Sequence, residues 1–521
     1  MTDMDKQITE GSKYKGDASE LCPHPWAAVG SLLIGFFMLM IDISIVSVAN
    51  PSIQRGLGAS LTETIWVTSA YLLGLAAPLL ISGRLGDRFG QRNMFFIGMA
   101  VFTAASLACG LAPSAGVLIA ARAVQGVGGS FMSPQSQATI VKIFPPHRRG
   151  AAMGLWGSVS GVAMLVGPML GGFLVQGVGW QSIFLINVPV GVVGLILVAR
   201  FVPKFPTNRP RLDWTGVLLS GAGIFFVVFG LQEGSDIGWG PIWGPVTIID
   251  ILIAGVALLA AFVFWQTRAR NPLVPLGLFR TRDFSLANSA IFLVGMAVTS
   301  MSLPLMYFIQ VGRGLDPLLS AIFMIPSAVV GAVLAPFVGR SFVAKFGANR
   351  VACFGLAAFA AGLIAYTTLF TPTSNIWLLL IPGVVLGLGN GCMWSPIAMS
   401  ATHQLPLSQA GVGAGVYNTV RQIGSALGSA LMTVLMNTLL TAHNVNPAIL
   451  QQNVQGAPLA SDVAASFSRA MAGALWLPAG VALAGAVIAA FLSGRAGRRA
   501  ASDTNSEGTT EPASSNHAPF Q

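Results

Sequence analysis

Apolar runs of about 20 residues alternate with short polar links along most of the chain, the spacing required of helices that cross a hydrocarbon layer of about 30 Å. Fourteen such spans are predicted: 27–49, 64–82, 93–112, 117–141, 150–173, 181–199, 214–231, 245–267, 284–311, 318–339, 351–371, 376–399, 411–438 and 470–493. Only 9% of the 521 side chains are charged and 54% are hydrophobic, too little polar surface for a soluble globule of this size. Lipid is therefore the solvent, and the fold class is all-α and integral to a membrane.

Charge then sets the topology. The net charge of +10 does not lie along one face, as a nucleic-acid surface requires, but in short clusters between the apolar runs. With the N-terminus cytoplasmic, 23 of the 28 lysines and arginines fall in the two tails and the even-numbered loops. Arg55, Arg313 and Arg469 fall outside, and Arg122 and Arg421 lie within spans. An even number of spans with both termini cytoplasmic in the plasma (inner) membrane explains this asymmetry, although the loop near His403 adds nothing to it. Residues 1–25 lack the apolar core and cleavage site of a secretory signal, so they read as a cytoplasmic tail before a retained first span. Residues 495–521 read as a disordered cytoplasmic tail. Cys22, Cys109, Cys353 and Cys392 have no ligand-like or disulfide spacing, and no metal or cofactor is indicated.

The chain also repeats itself. Gly150, Gly154 and Gly167 recur at constant offset as Gly411, Gly415 and Gly428, and the segment Gly83 to Arg92, GRLGDRFGQR, has a looser echo in Gly339, Arg340, Gly347 and Arg350. This divides the chain into a six-helix half at 26–199, two inserted linker helices with basic loops at 200–283 and a second six-helix half at 284–494. Two parallel halves related about the membrane normal place a site between them.

Several motifs carry more specific information. The loop Gly83 to Arg92 combines Gly83, Asp87, Arg88, Gly90 and Arg92 between two spans. Span 1 contains Asp42-Ile43-Ser44-Ile45-Val46-Ser47-Val48-Ala49-Asn50-Pro51, and span 4 contains Arg122-Ala123-Val124-Gln125-Gly126-Val127-Gly128-Gly129. Span 5 carries Gly154, Gly167, Pro168, Gly171 and Gly172, and weaker signals are Trp180, Asn187-Val188-Pro189 and Asp213-Trp214. Together these resemble the major facilitator superfamily, and with fourteen spans its drug:proton antiporters of the EmrB/QacA type, over nearly all of residues 30–435. The pattern departs at Ser44, Ser47, Asn50 and Ala163, where that family usually has Thr, Asn, Leu and Gly. The resemblance implies the major facilitator fold, a proton-handling arginine at Arg122, a latch between the halves at the Gly83 to Arg92 loop, and a tight, kinked seam of span 5 with span 8 or its repeat counterparts.

The residues themselves support a physical reading. Asp42 is about 15 residues into span 1, roughly 22 Å deep, and Arg122 is roughly 8 Å deep from the opposite face, so the two share a level. A lone charge there costs at least a few kcal/mol, and each must face a partner or water. Burial favours a neutral carboxyl whereas a nearby guanidinium favours the charged form, and that opposition suits a proton carrier. Asp42 and Arg122 are thus read as proton-coupling; a permanently ionised pair acting as helix glue is the alternative. Asp87 is suited to a helix N-terminus, and Arg88 and Arg92 to phosphates or acidic groups. Pro168 cannot donate to the carbonyl of Met164, and Gly157/Gly161 adds another small pair in span 5. Gln125, Asn418, Arg421 and Gln422 are candidate substrate-cavity residues; Arg421 reads either as an anion contact or as a structural bond to helix carbonyls. Asp250 and Glu63 read as facing the outer headgroups.

No phosphate loop, HExxH or nucleophile elbow occurs, and all five histidines fall outside the predicted spans, so the chain does not read as an enzyme or ATPase. Spans 9–14 contain no Asp or Glu, which favours neutral or singly charged amphiphiles over doubly charged cations. The reading is a monomeric secondary transporter exporting hydrophobic or amphipathic small molecules, multidrug type, in exchange for protons by alternating access. Its partners are a proton, the substrate and membrane lipid, and not nucleic acid. A dedicated exporter of one metabolite or lipid, and a non-transporting sensor or scaffold, are the alternatives.

Overall fold

The computed structural model describes residues 22–59, 61–205, 207, 212–236, 239–315, 322–402, 405, 409–446, 459 and 461–493. Both tails, His403 and the side chains of Ser47, Pro51, His147, Gly161, Met164 and Pro168 lie outside the described residues.

The described residues are helical almost throughout. Its first part comprises α1 (Pro25–Leu57), α2 (Leu61–Ala76), α3 (Leu79–Phe89), α4 (Gln91–Gly110), α5 (Ala115–Ile143), α6 (Pro146–Gly177), α7 (Ser182–Leu185) and α8 (Asn187–Phe201). A pair follows, α9 (Trp214–Asp236) and α10 (Ile248–Arg268), joined by a hairpin of β1 (Pro241–Trp243) and β2 (Val246–Thr247), in which Pro241 pairs with Thr247 antiparallel. The remainder is α11 (Arg282–Tyr307), α12 (Ile325–Phe337), α13 (Val343–Phe346), α14 (Ala348–Leu369), α15 (Leu380–Thr402), α16 (Ala410–Ala442), α17 (Ser461–Ala474) and α18 (Trp476–Ala490).

Among the described residues, twelve helices are long and apolar enough to cross a bilayer, or thirteen when α2 and α3 count as one bent span. The expected number was fourteen; the stretch outside this count, 150–173, lies on α6, a helix of 32 residues. Many large apolar side chains stay exposed, among them Phe173, Leu218, Ile253 and Ile381, as a lipid-facing surface requires.

Proline and glycine shape the spans locally. Pro78 lacks an N–H at the break between α2 and α3, where the axis bends by 45°. Gly90 stops α3 at φ +91°, a conformation that strains any L side chain, and its N–H bonds to the Gly86 carbonyl. Gly347 repeats that turn at φ +89° after α13, at the position of the sequence echo.

α5 runs through the interior, mostly buried from Gly128 to Ile143, and packs on α2 and α4. Several contacts tie the first part to the last. α3 lies on α16, α6 lies on α12 and the π-helical turn Val338–Phe342, and α5 meets α16. α9 packs on α10 and α16 and reaches α2.

Candidate functional site

α1, α4, α5 and α8 converge on Asp42, which has no solvent exposure. Its Oδ2 accepts from Arg122 Nη1 at 2.5 Å; Oδ1 accepts from Gln125 Nε2 at 2.9 Å and from Asn187 Nδ2 at 3.3 Å. Arg122 is 1% exposed and also donates to Gln125 Oε1 at 2.7 Å and, through Nε, to the Val67 carbonyl at 3.0 Å. Its guanidinium stacks 4.1 Å from the centre of the Tyr71 ring, with the Phe184 ring at 5.6 Å. Ser106 Oγ accepts from both Gln125 Nε2 (2.8 Å) and Asn187 Nδ2 (3.1 Å), holding the two amides beside the carboxylate.

The charges that share a depth in sequence are thus in contact, and the buried pair is enclosed by polar groups and two aromatic rings. Gln125, placed in the substrate cavity from sequence, is instead a fully buried member of this network. Asn187 carries only a weak motif echo in the sequence, and Ser106 and Tyr71 look like ordinary span residues until the helices pack. The cluster is electrostatically high-stakes: in a low-dielectric interior, removing any one partner leaves another buried polar group unmatched.

A second centre lies at the segment Gly83 to Arg92, which is not a loop: residues 83–89 continue α3, Gly90 alone makes the turn, and Gln91 and Arg92 open α4, because one residue at positive φ suffices to reverse the chain. Asp87 is 5% exposed and accepts the backbone N–H groups of Gly411 (3.2 Å) and Val412 (3.1 Å) in the first turn of α16, where a helix favours an anion. Gln91 Nε2 donates to Asp87 Oδ1 at 3.0 Å, and Lys142 Nζ donates to Gln91 Oε1 at 3.0 Å. Gly83 sits against Gly411 so closely that a Cβ would strike the Gly411 carbonyl. Gly150 and Gly339 make the corresponding contact between α6 and the Val338–Phe342 turn, again backbone on backbone, but with no carboxylate there among the described residues. Arg92 Nη2 donates to the Ala199 carbonyl at 2.5 Å, and Arg88, Gly90 and Arg92 line one surface cavity.

The glycines of α6 serve several partners. Gly154 abuts Ala335, and Ser158 Oγ donates to the Ala332 carbonyl at 2.9 Å, so the seam is made with α12. Gly167 abuts Ser44 on α1, whose hydroxyl donates to the Ile41 carbonyl at 3.0 Å. Gly171 is buried and Gly172 faces open space. The inserted α10 is not the close partner of α6; glycines at four-residue spacing show that a helix will approach but not which one.

Between the two parts, Ser133 Oγ donates to Asn418 Oδ1 (3.1 Å) and Asn418 Nδ2 to Gln137 Oε1 (2.8 Å). Arg421 and Gln422, one turn on, are half-buried. Among the described residues no carboxylate pairs with Arg421, and its Nε and the Tyr417 hydroxyl have no hydrogen-bond partner. Asp250 forms a capping box with Thr247 at the start of α10, and Glu63 is exposed in the first turn of α2.

Residues 32–429 match the profile of the Major Facilitator Superfamily. An uncharacterized transporter of that type from Mycobacterium tuberculosis is 44% identical over 478 residues, covering 90% of this chain and 81% of the relative. Multidrug resistance protein Stp of the same species is 34% identical over 396 residues, 76% of this chain and 72% of the relative. The solved proton:xylose symporter XylE superposes with a TM-score of 0.61 at 14% identity, covering 89% of this chain and 95% of the symporter, a likeness of fold.

Proposed function

The chain belongs to the major facilitator superfamily of membrane transporters, and from that premise we propose that it exports hydrophobic or amphipathic small molecules in exchange for protons. The 34% identity to a multidrug resistance protein supports the direction of transport and the breadth of substrate. One observation carries the coupling: a carboxylate without solvent exposure is held by a single guanidinium and two amides. Protonating Asp42 cancels its attraction for Arg122, which keeps its bonds to Gln125 and to the Val67 carbonyl on α2. A proton thereby changes what holds α1 against α5 and α2, and substrate and proton compete through that change.

The two six-helix halves, 26–199 and 284–494, move against each other around the Ser133, Asn418 and Gln137 contact, with α9 and α10 as the insertion between them. Asp87 with Gly83, and Gly150 with Gly339, close the cytoplasmic side; Gly154 and Gly167 keep α6 close to its neighbours through the cycle. Both termini are cytoplasmic, the membrane is the plasma membrane and the working unit is a monomer.

Dye efflux from proteoliposomes under an imposed pH gradient tests this reading. The parent should drive flux that collapses with the gradient, and Asp42→Asn should leave the rate of protein-free vesicles. An Asp42→Asn protein that pumps at the parent rate removes proton coupling at this site. Unrelated dyes that fail to compete would mark a dedicated exporter.

A further inference from the structure

Arg88 and Arg92 share a surface cavity of about 570 Å³ with Lys204, Asn93 and Thr207. The cations come from three segments: the end of α3, the start of α4 and the stretch after α8. Among the described residues no acidic side chain lines the space, so three positive charges face one opening. A second space of about 730 Å³ adjoins it and shares Phe89, Arg92, Asn93 and Lys204, but its further walls are apolar: Leu85, Phe96, Ile97 and Ala199. Phe89 and Ile97 are each 48% exposed, and Phe96 and Ile97 lie on the lipid-facing side of the α4 span. The pair of spaces therefore joins a cationic end to an apolar groove beside α4.

We propose that these two adjoining spaces bind one anionic phospholipid, with its phosphodiester among Arg88, Arg92 and Lys204 and an acyl chain over Phe96 and Ile97. Guanidinium groups match phosphate oxygens in fork geometry, and lysine adds a mobile point charge. Arg92 is already oriented by its bond to the Ala199 carbonyl, so less freedom is lost on binding. A free phosphate ester shares the headgroup chemistry, but it leaves the apolar groove empty. The leaflet is the one beside the basic loops, where anionic lipids are attracted. The proposal rests on the membrane assignment alone and stands or falls apart from the efflux reading.

Native mass spectrometry of the detergent-solubilised full chain tests it, titrating dioleoylphosphatidylglycerol, dioleoylphosphatidylcholine and glycerol phosphate. Phosphatidylglycerol should bind tightest, and glycerol phosphate should fail to displace it at equal concentration. Lys204→Gln, at an exposed side chain, should weaken phosphatidylglycerol about fivefold, and together with Arg88→Gln about thirtyfold, following the usual contribution of a basic side chain near an anionic leaflet. Arg270→Gln with Arg280→Gln removes the same charge elsewhere and should leave the affinity unchanged. Equal binding of phosphatidylcholine, displacement by glycerol phosphate, or equal weakening by the distant pair would each overturn the proposal.

Discussion

Replacing Asp87 by asparagine removes the carboxylate from the proposed cytoplasmic closure. The carboxylate accepts two N–H groups at the start of α16, and among the described residues it is their acceptor. Hydrogen bonds to a charged group contribute about 1.5–3 kcal/mol each, whereas neutral ones contribute about 0.5–1.5. Asparagine keeps one acceptor oxygen and turns an NH₂ toward the other donor, so one charged bond is lost and the second is weakened. The favourable placement of an anion at a helix N-terminus goes too. The sum is about 2–4 kcal/mol, a population change of roughly 30- to 1,000-fold. Hydrogen exchange of residues 409–416, followed by mass spectrometry, reads this directly: amide exchange there should accelerate by that factor while α14, remote from the contact, keeps its protection. Unchanged exchange at the start of α16 in Asp87→Asn would refute the assignment of Asp87 as an anionic cap that holds the start of α16 against α3.

Gly83→Val places a branched side chain against the Gly411 carbonyl and should cost about 1–3 kcal/mol of the same closure, seen as increased labelling of cysteines introduced along α3; equal labelling would argue against close contact. Arg122→Lys keeps the charge, but a single ammonium cannot reach Asp42, Gln125 and the Val67 carbonyl together; gradient-driven flux should fall at least about tenfold, and parent-like flux would show that charge alone suffices. Asp213→Ala removes the acceptor of Trp265 Nε1 (2.8 Å), Gln266 Nε2 (2.8 Å) and the Gly216 N–H (2.9 Å), which joins α9 to α10. It should lower thermal stability by about 2–4 kcal/mol and red-shift tryptophan emission; an unchanged melting profile would discount that joint.

Hydropathy alone determined the helical spans and the membrane as solvent, because whether a segment prefers lipid is a local property summed over about 20 residues. The repeat of glycine and charge also paired the Gly83 to Arg92 segment with Gly339 to Arg350, and the structure puts a positive-φ glycine, Gly90 and Gly347, at the same place in each. Depth along each span set Asp42 and Arg122 at one level, but it left open which way each helix faces. Tertiary structure decided that Asn187 and Ser106 complete the network, that Gln125 belongs to it, and that α6 meets α12 instead of α10. It also decided that Asp87 meets a helix start 324 residues away while its neighbours Arg88 and Arg92 face a separate cavity. Rotation about the helix axis and choice of neighbour arise from packing over long chain separations, where small residues and hydrogen bonds supply the preference that hydrophobicity, uniform on all sides in lipid, does not.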